Sequence, residues 1–124
     1  RESYQKYFDW RWLRDSVMVP LRRETRARYR RYDWVSDALT DWRELGPGGI
    51  VIVDGVFSTR PELLPYYSVT VFVETPSEQR LARIQNRGYQ DMSWISHWKA
   101  AEDWYMANVR PRDNVGMVLD GSSS

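Results

Sequence analysis

The residue with the clearest chemical opening is Asp54. It follows four branched aliphatic residues in the stretch Gly48-Gly49-Ile50-Val51-Ile52-Val53-Asp54-Gly55. An acid delivered to the carboxyl end of a buried strand can hold a hydrated magnesium ion or orient a phosphate-bearing ligand. Glycine beside it leaves room for backbone or ligand to approach closely. The same Asp-Gly pair also suits a tight turn with no chemistry attached. Spacing alone leaves both roles open.

Two groups of arginines raise similar pairs of roles. Arg80, Arg83 and Arg87 recur at helical spacing. They could present guanidinium groups to a transferring phosphate, or simply sit where a helix C-terminus favours cations. Arg22, Arg23, Arg26, Arg28, Arg30 and Arg31 are interleaved with Tyr29 and Tyr32. Arginines and stacking aromatics can bind nucleic acid, but such a run is more often a solvated face paired with neighbouring acids. The latter is the expectation here, and it argues against nucleic acid as a partner. His97 is the single histidine, and no converging ligand or triad partners are visible around it. A structural or surface role is expected for it. Most of the seven tryptophans should serve packing, while Trp34 and Tyr32 could stack on a base.

These residues need elements to position them. Asp9 reads as the N-cap of a helix carrying Trp10, Leu13, Val17 and Leu21 on one face, with Pro20 expected to kink or end it. The alternating arginines of residues 25–33 predict an extended arm or edge hairpin. Ser36 is expected to cap a short amphipathic helix bearing Leu39, Trp42 and Leu45. The apolar runs at residues 50–53, 69–73 and 115–120 predict strands. Thr75-Pro76-Ser77-Glu78 reads as a capping box opening a helix that Gly88 ends. A last long helix is expected over residues 93–109, with Trp94, Ile95, Trp98, Ala101 and Tyr105 on one stripe. Continuous apolar strands separated by helices predict an α/β fold with a parallel sheet covered on both faces, and ligands at the strands' carboxyl ends.

Composition sets outer bounds. At 124 residues the chain is expected to form a single domain, divided into a substrate-side helix and basic arm (1–35), sheet and helices (36–120) and a frayed tail (121–124). A net charge of +1 offers no global attraction to nucleic acid or anionic membrane. Absence of cysteine excludes disulfides and thiolate metal sites. No apolar run has transmembrane length, and the polar start Arg1-Glu2-Ser3-Tyr4 does not resemble a signal peptide. A cytoplasmic location without membrane partners is therefore expected.

The order of several segments carries a resemblance. "RYRRYDWVSDALTDW", "GGIVIVDGVFSTRPEL", "VTVFVETPSEQRLARIQNRG", "WKAAEDWYMANVRP" and "VGMVLDG" together resemble the bacterial branch of the uridine kinase-like P-loop nucleoside kinases, in which "YFDWRWLR" also has a counterpart. The resemblance spans nearly the whole chain, but about the C-terminal two-thirds of the family's domain. It implies transfer of the γ-phosphate of ATP or GTP, with magnesium, to the 5′-hydroxyl of a small-molecule nucleoside such as uridine or cytidine. By position, Asp54 matches the acid near magnesium, which it would hold through water. Tyr32 and Asp33 match the nucleoside-side "YD" motif. Arg83 and Arg87 match arginines that reach the phosphates, with Arg80 opening that motif. Asp37 stands where some members place a base-side histidine, and Asp9 falls near an acid of the ribose site.

Departures accompany the match. Asp54 replaces the usual glutamate, Gly88 the acid of an "RD" pair, and Gly116-Met117 the familiar "AD". No G-x-x-x-x-G-K-[ST] occurs, and the lysines are Lys6 and Lys99. The family's acid expected to act as base is also missing. The resemblance thus implies a P-loop kinase-like parallel sheet with flanking helices that lacks its first strand and phosphate loop. That strand would lie between the runs at 50–53 and 69–73. The expectation is an N-terminally truncated kinase portion, inactive as it stands, or one completed by a homo-oligomer or a partner segment that supplies the strand. Two other functions fit the residues: a non-catalytic nucleoside- or nucleotide-binding module, and an RNA- or protein-interaction element built on the arginine-rich arm.

Overall fold

The computed structural model describes residues 8–88 and 91–122. These residues divide into two compact units, one over Asp9–Asp54 and one that begins at Gly55.

In the first unit, helix α1 (Trp10–Leu13) begins as its N-cap predicts, with Asp9 Oδ1 accepting from Trp12 N at 3.1 Å. A π-helical turn, Arg14–Met18, leads into α2 (Val19–Arg22). Pro20 therefore does not stop the helix. The widened turn before it is the distortion that absorbs the missing N–H. Trp10, Val17 and Met18 are buried. Strand β1 (Ala27–Asp33) pairs antiparallel with β2 (Ala38–Leu45), with a bulge between Arg30 and Tyr32. Ala27 is fully buried, and Trp12 meets Tyr29 of β1 edge-on at 6.2 Å.

The hairpin corrects the helix expected after Ser36. Asp37 adopts a left-handed backbone (φ 51°), which a helix cannot continue through and which aspartate tolerates. Cross-strand partners then decide the conformation of residues 38–45. Arg26 pairs with Glu44 at 2.8 Å, and Arg31 with Asp41 at 3.4 Å. Leu39 and Trp42, placed on an apolar helical face by the sequence pattern, are exposed.

The strand expected at residues 50–53 is also not observed. This run forms no regular secondary structure and joins no sheet, and Ile50 and Ile52 are 91% and 84% exposed. Asp54 accordingly stands at the end of no strand. The apolar pattern was right for a strand, but main-chain pairing requires a neighbour, which the run does not have among the described residues.

In the second unit, turns over residues 55–67 are fastened by polar contacts. Ser58 Oγ donates to Gly55 O at 2.6 Å, and Tyr67 Oη to Ser58 O at 2.8 Å. Arg60, 1% exposed, grips Glu62 through two bonds of 2.9 Å. Strand β3 (Val71–Glu74) pairs in parallel with β4 (Met117–Asp120). The mixed α/β class and a parallel pairing are thus observed, but in two small sheets. The strands lack the expected cover on both faces, since Val71, Val73, Met117, Val118 and Leu119 remain exposed.

Helix α3 (Ser77–Asn86) starts at Pro76 without a side-chain cap, so Thr75 does not serve the expected capping box. Its end follows expectation: Gly88 is left-handed (φ 86°), and its N–H donates to Gln85 O at 3.0 Å. Helix α4 (Met92–Asn108) is capped by Asp91, whose Oδ1 accepts from Trp94 N at 3.0 Å. Its buried positions are Ile95, Ala101, Glu102 and Tyr105, and Phe57 packs edge-on against Tyr105 at 5.1 Å. Trp94 is exposed and stacks on Trp98. Gly121, expected to open a frayed tail, instead donates to Glu74 O at 2.7 Å. Ser123 and Ser124 of that tail lie outside the described residues.

Candidate functional site

The turn of the β1–β2 hairpin gathers three of the expected substrate residues. Tyr32 donates its phenol proton to Asp37 Oδ1. This bond to an anion holds the phenol above its ordinary pKa of 10, since deprotonation would set two negative charges together. Asp33 Oδ2 accepts from both Ser36 Oγ (2.6 Å) and Ser36 N (2.9 Å). Those two bonds keep its carboxyl below the ordinary value. Trp34 meets the Tyr32 ring edge-on at 5.0 Å and is 82% exposed. The turn therefore presents an indole face, a phenol edge and two carboxylates within one short loop. That set can stack on a flat heterocycle and accept hydrogen bonds from hydroxyl groups.

The other expected residues are committed elsewhere. Asp9 caps α1. Arg80 and Arg83 lie in the second unit, one turn apart on α3. Arg80 pairs with the buried Glu102, whose carboxyl is pushed up from its ordinary value by burial and pulled back by the Arg80 charge. Arg83 Nη2 donates to Gly121 O at 3.1 Å. Arg87 is exposed just beyond α3. These contacts fasten α3 to α4 and to the chain after β4, the structural role that helix-end arginines can take. Sequence reasoning missed Glu102 as the Arg80 partner. A signal was present: Glu102 continues the apolar stripe of Ile95, Trp98 and Tyr105, and a carboxylate there must be paired.

The arginine-rich arm is largely engaged within its own hairpin. Arg26 and Arg31 pair with Glu44 and Asp41. Arg30 donates to Thr40 O (2.9 Å) and Leu39 O (2.7 Å), and Arg28 lies 4.4 Å over the Trp42 ring. Arg22 and Arg23 are exposed. His97 is exposed on α4, its Nδ1 2.8 Å from Ser93 O, as expected of a surface histidine.

Among the described residues no group of three or more His, Cys, Asp or Glu could hold a metal ion. Asp54 is a single exposed carboxylate on an unpaired segment, and Lys99 is tied to Asp103 at 2.8 Å. Among the described residues no helix is long and apolar enough to cross a membrane. No protein-family model and no curated protein matches the chain.

Proposed function

We propose that this chain is the nucleoside-binding portion of a uridine kinase-like phosphotransferase with a P-loop kinase-like α/β fold. The observation that supports it best is the convergence of Tyr32, Asp33, Trp34 and Asp37 at one hairpin turn. A pyrimidine would stack on Trp34 against the Tyr32 edge, and the carboxylates would accept from sugar hydroxyls. The parallel β3–β4 pair and the order of the resembling segments add to this reading. ATP-dependent transfer to the 5′-hydroxyl belongs, on this proposal, to a form that carries a glycine-lysine phosphate loop. Magnesium and ATP or GTP would bind there, in the cytoplasm. The 124 residues alone are expected to bind nucleoside without turnover.

Isothermal titration of the chain with uridine and cytidine tests the binding step, and a phosphorylation assay on a loop-bearing form tests the kinase step. Binding without phosphorylation in that form would leave a non-catalytic nucleoside module. No binding of either nucleoside would remove both. An RNA-binding role receives less support, because four of the six arginines it would use already have partners in the hairpin.

A further inference from the structure

We infer that Thr25 is a phosphorylation site for a serine/threonine protein kinase that reads arginine at the second and third positions before its acceptor. The inference lies within the first unit and does not rest on the nucleoside-binding turn.

The sequence supplies the charge pattern. Arg23 and Arg22 stand at those two positions before Thr25, and no other serine or threonine of the chain has arginine at both. Kinases choose substrates largely by such patterns, setting acidic subsites against upstream cations. Both arginines are exposed and make no ion pair among the described residues, whereas Arg26 and Arg31 are paired within the hairpin.

The structure supplies an accessible acceptor on a strained cap. Thr25 is exposed in the turn that ends α2. Its N–H donates to Pro20 O at 2.9 Å and that of Glu24 to Leu21 O at 3.1 Å, the pair of bonds that closes a helix C-terminus around a left-handed residue. That residue is Glu24 (φ 55°), where glycine is the unstrained choice. Strain there lowers the cost of opening the turn into the extended form that a kinase cleft takes. Thr25 Oγ1 also donates to Pro20 O at 2.9 Å. In the reaction the γ-phosphorus of ATP bonds to Oγ1, its bond to the bridging β-phosphate oxygen breaks, and ADP leaves. The hydroxyl proton passes to the kinase's carboxylate base. The phosphorylated Oγ1 no longer donates to Pro20 O, and a dianion stands at the negative end of the helix. The cap opens, and Arg22 and Arg23 are at hand to pair with the phosphate.

Incubation of the chain with ATP, magnesium and the catalytic subunit of cyclic-AMP-dependent protein kinase, a probe with this arginine preference, should place a phosphoryl group on Thr25. Fragmentation mass spectrometry locates it. Arg22→Gln combined with Arg23→Gln should slow the addition by roughly tenfold or more with the acceptor still in place. Thr25→Val should abolish it and Thr25→Ser retain it, so the serine variant keeps the test independent of any change valine makes to the cap. Hydrogen exchange at the Glu24 and Thr25 amides should quicken in the phosphorylated chain. No phosphoryl group on Thr25, or a rate there indifferent to the arginine substitutions, would overturn the site. Unchanged exchange would overturn the opening of the cap.

Discussion

Arg83 donates from Nη2 to the main-chain oxygen of Gly121 at 3.1 Å, fastening α3 to the residue that ends the β3–β4 ladder. Gly121 has no room for a side chain. A Cβ there would stand 2.6 Å from Val73 Cγ1 and 3.3 Å from Glu74 O. Gly121→Ala should therefore destabilise the chain by about 2 kcal/mol through overpacking. Arg83→Ala, which removes the hydrogen bond to Gly121 O from a half-buried side chain, should cost about 1 kcal/mol. Equilibrium denaturation in urea measures both, and the prediction fails if alanine at Gly121 is the milder change.

The Arg80–Glu102 pair predicts a pH dependence. Burial raises the Glu102 carboxyl above its ordinary value of 4.5, only partly opposed by Arg80. A folded-state pKa above the unfolded one stabilises fully below the unfolded value, and that contribution is lost as pH rises through the folded value. Glu102→Gln should flatten this fall on the alkaline side of pH 4.5. Arg80→Ala leaves a buried carboxylate without its cation and should cost about 2 kcal/mol at neutral pH. Denaturation curves taken across mildly acidic to neutral pH separate the two variants. Identical pH profiles in Glu102→Gln and the unsubstituted chain would refute the account.

At the hairpin turn, Trp34→Ala should weaken uridine binding by roughly tenfold, the scale of one lost base-aromatic stack. Trp34 is so exposed that stability should change by less than about 0.5 kcal/mol. Asp37→Asn should also weaken binding, and should bring the Tyr32 phenol down toward its ordinary pKa. Calorimetry and ultraviolet tyrosine titration read these effects separately. Full uridine affinity in Trp34→Ala would remove the stacking role.

Pairing within the hairpin predicts little from the arginine-rich arm toward RNA. Affinity for single-stranded RNA should be low, with a shallow salt dependence, because few phosphates would be neutralised. Serine at Arg26 and Arg31 should mainly loosen the hairpin, by a few tenths of a kcal/mol for each exposed pair. A steep loss of RNA affinity with salt, abolished by these substitutions, would reinstate the nucleic-acid reading.

Local rules were legible where the deciding partner lies within a few residues. Asp9 and the helix it caps, the extended arginine arm, the glycine end of α3 and, Trp94 apart, the stripe of α4 follow from short-range pattern. The candidate site was partly legible too: Tyr32, Asp33 and Asp37 were named from their resemblance, and the turn that gathers them spans only a few residues. Residues 38–45 were misjudged because their apolar spacing suits a helix. The structure instead settles on cross-strand partners for Thr40, Asp41, Trp42 and Glu44.

By itself, the sequence determined where apolar runs, the Asp9 cap and the glycine end of α3 stand, since these depend on backbone preference and periodicity. Only the tertiary structure decided what those runs pair with. Residues 50–53 and 71–73 are both apolar runs of strand-favouring types, yet β3 gained a partner in β4 while the other run did not. The difference lies in main-chain hydrogen bonds between distant segments, which side-chain pattern does not specify. The same long-range choice tied Arg80 and Arg83 to Glu102 and Gly121, and left Asp54 at the end of an unpaired run.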